Sequence, residues 1–126
     1  MKDSLKRTTG DPTPLDEVLE IMEPILKEKY NLEFYKREHG EGYFKKGNKK
    51  IVLSYHDFIG IHVLIGDYDN NKFISLKDLI YNELPKAKRS KYIKYTYDYE
   101  ERTVQFMTKI TLKQFEIIEK EFPELI

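Results

Sequence analysis

Residues 49–84 read KKIVLSYHDFIGIHVLIGDYDNNKFISLKDLIYNEL, and the first half alternates with a period of two. Ile51, Leu53 and Tyr55 share one side of an extended segment, and Ile61, Val63 and Ile65 share one side of the next. A three-residue turn over Asp57, Phe58 and Ile59 brings both sets together. Upstream, Gly47-Asn48 is a two-residue hairpin signal that pairs Phe44 with Ile51. A turn over Gly40-Glu41-Gly42 adds Leu32 and Phe34 to the same side. Four strands thus agree on one oily face, and a slip of one residue would invert it. The second face then carries Glu33, Tyr35, Arg37, His39, Tyr43, Lys45, Val52, Ser54, His56, His62 and Leu64. Helices are expected over the oily face, with the second face open.

A helix precedes these strands. Thr13 is the expected N-cap, Pro14 suits the first helical position, and Asp16 and Glu17 place negative charge at the positive helix end. Leu15, Val18, Leu19, Met22, Ile25, Leu26 and Tyr30 form an apolar stripe that Ile21 widens. Pro24 should kink it, and Asn31 should stop it. Residues 1–11 have no periodicity and read as a flexible leader.

Downstream, Asp67 to Lys72 reads as a turn. Ser75 with Asp78 opens a second helix, which Pro85 ends. Lys86 to Lys91 reads as a basic loop. Ile93, Tyr95, Tyr97 and Tyr99 alternate in a fifth strand, and Val104, Phe106 and Ile110 in a sixth. Thr111 with Gln114 opens a last helix carrying Leu112, Phe115, Ile118 and Phe122. The expectation is one α+β domain over residues 1–126, with a mainly antiparallel sheet, order α-ββββ-α-ββ-α, and helices packed on one face.

The 126 residues suffice for one core. Lys+Arg and Asp+Glu both count 22, so net charge exerts no long-range pull on nucleic acid or an anionic membrane. The absence of cysteine excludes disulfides, thiolate metal sites and cysteine nucleophiles. No signal peptide or membrane-spanning run is visible, so a cytoplasmic soluble domain is expected.

Three constellations carry candidate chemistry. Residues 67–78 resemble the calcium loop of EF-hand proteins: Asp67, Asp69 and Asn71 match the alternating oxygen ligands, and Asp78 stands where the bidentate glutamate belongs. Lys72 replaces the loop's glycine, and a strand rather than a helix leads in. The simpler account is an Asx-rich turn capped by Ser75. Calcium is the one cofactor the sequence suggests. His56 and His62 fall diagonally across a hairpin, about 7–8 Å apart, with Ser54 opposite His62 and Asp57 the nearest further donor. A small ligand-binding or metal-dependent enzyme could use that face, but no third ligand or orienting carboxylate is placed. Lys86, Lys88, Arg89 and Lys91 could neutralise phosphates beside tyrosines that stack on bases. A solvated basic loop is the favoured account of that run.

No phosphate-cradling glycine loop, zinc signature or nucleophile elbow is present. Ten tyrosines without tryptophan suit a recognition surface, since tyrosine offers large contact area at small entropic cost. Tyr35, Tyr43, Ser54, His56 and His62 are its expected members. The leading expectation is a non-catalytic protein-binding domain whose partner is another protein. A homodimer through a sheet edge is also open.

The opening amphipathic helix, the Gly42-Tyr43-Phe44-Lys45-Lys46-Gly47-Asn48 meander and the Ser75–Ile80 helix start resemble the small, cysteine-free immunity proteins that bacteria keep beside secreted toxins. The resemblance lies in layout across most of the chain and carries over no binding residue. It implies that the protein binds a toxin domain and blocks its active site.

Overall fold

A computed structural model describes residues 14–38, 40–56, 60–67, 72–96 and 103–126, with the side chains of His56 and Asp67 outside that description. Helix α1 (Pro14–Tyr30) lays its stripe into the core, where Leu15, Val18, Leu19, Met22 and Leu26 are fully buried. Each such side chain contributes about 1.5–3 kcal/mol of burial. Ile21 instead lies on the outer side, 41% exposed. Asn31 ends the helix at φ 57°, its N–H donating to the Lys27 carbonyl at 3.1 Å. That left-handed stop is the one its sequence position implies. The Thr13 cap lies outside the described residues.

Five antiparallel strands follow in the sheet order β1-β2-β3-β4-β5: β1 (Glu33–Glu38), β2 (Glu41–Lys46), β3 (Lys49–His56), β4 (Gly60–Asp67) and β5 (Lys72–Ser75). The central registers are those the alternation implies. Phe44 pairs with Ile51, Ile51 with Ile65, Leu53 with Val63, and Ser54 with His62. Residues 57–59, the expected turn, lie outside the described residues. Phe44, Ile51, Leu53, Ile61, Val63 and Ile65 join α1 in one core. Gly42 is required there, since a Cβ would meet the Leu19 side chain at 2.6 Å.

The first hairpin is tighter than expected. Glu38 pairs with Glu41, leaving two residues in the turn. A turn shortened by one residue would rotate Phe34 away from the core. A β-bulge between Phe34 and Lys36 absorbs the difference: Phe34 still pairs with Phe44, while Lys36 pairs with Tyr43 and Arg37 with Gly42. Past the bulge the phase inverts, so Arg37 lies on the helix side and not on the second face. Its guanidinium Nη2 meets Asp16 Oδ1 at 2.9 Å, with the two side chains 3% and 2% exposed. Nη1 donates to the carbonyls of Glu41, at 3.1 Å, and Glu38.

Beyond Asp67 the chain returns as β5, where a turn alone was expected. Gly66 faces Phe73, and a Cβ on Gly66 would overlap that ring. Ser75 caps α2 (Leu76–Glu83) as expected, its Oγ accepting from the Asp78 N–H at 3.1 Å.

The last third departs from expectation. Lys86–Tyr92 is helix α3, not a loop, and a 3₁₀ turn covers Ile93–Tyr95. Tyr97 and Tyr99 lie outside the described residues. Val104, Phe106 and Ile110 belong to no strand but to helix α4 (Val104–Glu121), which Thr103 caps by accepting from the Phe106 N–H at 3.2 Å. Thr111 sits buried within α4, its hydroxyl donating to the Met107 carbonyl at 2.7 Å. The cause is polar burial: Thr108, Thr111 and Gln114 occupy inward positions of α4, and they hide a helical stripe that Met107, Ile110, Phe115 and Ile118 otherwise complete. The architecture is α+β with an antiparallel sheet flanked by helices, in the order α-βββββ-α-α-α.

Gln114 does more than fill space. Its Nε2 donates to the Ile61 carbonyl at 3.0 Å, and its Oε1 accepts from the Val63 N–H at 3.2 Å. Strand β5 pairs with β4 only from Leu64 to Asp67. The primary amide therefore closes β4 where its neighbour has ended, offering one donor and one acceptor as a strand would.

Candidate functional site

The best-organised polar cluster lies on the second sheet face, at β1 and β2. The bulge places the Tyr35 ring against Tyr43, with centroids 6.0 Å apart and planes at 63°. Lys45 Nζ stands 5.1 Å from the Tyr35 centroid, and Lys36 Nζ the same distance from that of Tyr43. Both are cation–π distances. Lys36 also pairs with Glu38 at 2.6 Å. The Tyr43 hydroxyl donates to Glu41 Oε1 at 2.8 Å and to Glu38 Oε2 at 3.2 Å. Tyr35 keeps a buried hydroxyl without a hydrogen-bond partner among the described residues.

The electrostatics hold Tyr43, Lys36 and Glu38 each in one charge state. Burial, then the Glu41 hydrogen bond, pushes the Tyr43 phenol well above its usual range. The Lys36 hydrogen bond holds Glu38 below the usual carboxylate range, and the same contact raises Lys36. These shifts all lead away from neutrality. Those three groups therefore stand away from the pKa near the working pH that favours proton transfer.

The other expected members are placed differently. Ser54 is 6% exposed and its neighbour Val52 1%, so the middle of this face is not on display as expected. His62 is half-buried opposite Ser54, whereas the His56 side chain and all of His39 lie outside the described residues. Of the proposed calcium ligands, Asp69, Asn71 and the Asp67 side chain lie outside them too. Asp78 is exposed in the first turn of α2. Among the described residues, no group of three His, Asp or Glu side chains could hold a metal ion.

The basic run is divided by its helix. Lys88 pairs with Glu121 at 2.8 Å, and Arg89 lies 5.9 Å from the Tyr81 ring centroid, while Lys86 and Lys91 stay exposed. Residue-by-residue reading missed Lys36 and Lys45 as partners of the tyrosines. Alternation put Lys45 on the face of the tyrosines but left Lys36 off it, and nothing in the sequence marks the bulge that turns Lys36 there.

No family model, no curated protein and no solved structure matches the chain. Among the described residues, no helix is long and apolar enough to cross a membrane.

Proposed function

We propose that the protein is a non-catalytic protein-binding domain of the toxin-immunity kind, which docks the β1–β2 part of its second sheet face on a partner toxin domain and blocks it. The observation that carries this reading is the interlocked set Tyr35, Tyr43, Lys36, Lys45 and Glu38. Two half-buried rings are braced by cations and hydrogen bonds, so little side-chain entropy remains to be lost on binding. Both signs of charge are present, with Lys36 and Lys45 beside Glu33, Glu38 and Glu41. A mixed surface of this kind suits a protein partner better than a polyanion.

Affinity capture from the cells that make the protein tests this. The parent chain should retain one protein partner in stoichiometric amount. Replacing both Tyr35 and Tyr43 with alanine, with the fold checked by circular dichroism, should weaken retention by about tenfold or more. Equal capture by the double variant would remove the proposed surface, and no stoichiometric partner would remove the function.

A further inference from the structure

A second site forms on the helical side, where the 3₁₀ turn after α3 meets α4. Residues 86–95 hold five basic residues and no acidic one, so the rest of a chain of zero net charge carries the opposite excess. Lys88 and Arg89 are turned to Glu121 and Tyr81. Lys91 instead joins Lys113 and Lys120 of α4 around a cleft of about 290 Å³. Its lining includes Ile117 and Tyr92, both nearly buried, and the half-buried Tyr95. Glu116 is also present and pairs with Lys113 at 3.3 Å.

From this arrangement we propose that the cleft binds a phosphomonoester carried on a flat ring, of mononucleotide size. Three lysines less one glutamate leave two positive charges, which match the roughly −1.5 to −2 of a phosphomonoester at neutral pH. Lysine ammonium groups serve as point charges for phosphate. The half-buried Tyr95 ring gives a ligand ring an apolar surface to stack on, with the nearly buried Tyr92 and Ile117 as the floor beneath. The volume is near the lower end for small-ligand pockets, about 300 Å³, which favours a single nucleotide over a larger cofactor. Tyr92 is held in place by its hydroxyl, which donates to Glu121 Oε2 at 2.7 Å. The fold thus brings together cations that the sequence places in two separate segments.

Calorimetric titration with adenosine monophosphate tests the proposal, alongside adenosine and inorganic phosphate. Saturable binding of the monophosphate, tighter than either fragment, is expected. Lys91→Gln, Lys113→Gln and Lys120→Gln should each weaken it by about three- to tenfold. Lys86→Gln, on the same helix but outside the cleft, should leave it unchanged. No saturation up to roughly 10 mM, a range that still detects weak sites, would overturn the proposal. So would equal binding of adenosine or of phosphate alone, or an affinity untouched by the three substitutions. A short oligothymidylate binding about tenfold tighter through the same lysines would also overturn it, in favour of a strand-binding surface.

Discussion

Two places on the sheet, the first strand and the unpaired part of β4, are closed from the helical layer by polar groups of opposite kind. At β1, α1 delivers a carboxylate, Asp16, to a buried guanidinium, Arg37. At β4, α4 delivers a neutral amide, Gln114, to the bare backbone of Ile61 and Val63. Arg37 brings its own charge inside and needs Asp16 and two carbonyls to hold it there. Gln114 brings no charge and answers polar groups that were already present. Desolvating an ion pair costs several kcal/mol per ion, whereas a neutral amide that satisfies both its groups costs far less. The ion pair should therefore add little net stability while enforcing register, because Arg37 faces Asp16 only when the bulge at Tyr35 forms. The amide should contribute by keeping an interrupted edge paired.

Removing one partner of the buried pair is the most severe test. Arg37→Met should destabilise the fold by about 3–5 kcal/mol in urea titration, since it strands a buried carboxylate. Replacing both Asp16 with Leu and Arg37 with Met should recover most of that loss. A double variant as unstable as the single one would show that the pair is not an energetic unit.

Gln114→Leu comes next, at about 1–3 kcal/mol, since it leaves the Ile61 carbonyl and Val63 N–H without their side-chain partner. The Val63 amide should also exchange its proton faster with solvent. Unchanged exchange would mean that another group closes the edge.

The smallest effect belongs to a pair that water reaches from the lysine side. Lys88, half-exposed, and the Tyr92 hydroxyl hold Glu121 below the usual carboxylate range, chiefly through their hydrogen bonds. A carboxylate depressed in the folded state stabilises fully above its unfolded pKa, about 4.3 for glutamate. That contribution is lost as pH falls through the lower folded value. Glu121→Gln should flatten the stability profile in this acid window by about 1 kcal/mol or less. A profile identical to the parent's would show that the contact does not persist in solution.

Legibility along the chain followed the number of independent constraints on each segment. In β2, β3 and β4, alternation was joined to the Gly47-Asn48 turn and to a turn expected over residues 57–59, and the observed pairs Phe44↔Ile51 and Leu53↔Val63 follow from them in that order. In β1, alternation was joined to a turn over Gly40-Glu41-Gly42 that is one residue longer than the one observed. That reading placed Tyr35 correctly on the second face but Arg37 wrongly, because nothing in EFYKRE marks an extra residue. In α4, Val104, Phe106 and Ile110 fit a strand as long as Thr111 and Gln114 were taken for surface caps. Their burial restores the helical period. For the candidate sites, Tyr35 and Tyr43 were legible as aromatic residues on one face. Their bracing by Lys36 and Lys45 depends on the bulge, and the Lys91, Lys113 and Lys120 cluster depends on how α3 meets α4.

By itself, the order of residues determined whatever neighbours in the chain decide: the α1 stripe and its Asn31 stop, the hairpin at Gly47, the Ser75 cap and the oily side of the central strands. Tertiary structure decided the fate of polar side chains. Arg37, Gln114 and Lys91 are ordinary surface residues in sequence, and each gains its role from a group far away in the chain. The reason is energetic. Backbone periodicity is a local property, whereas burying or concentrating charge is tolerable only where packing supplies the partner.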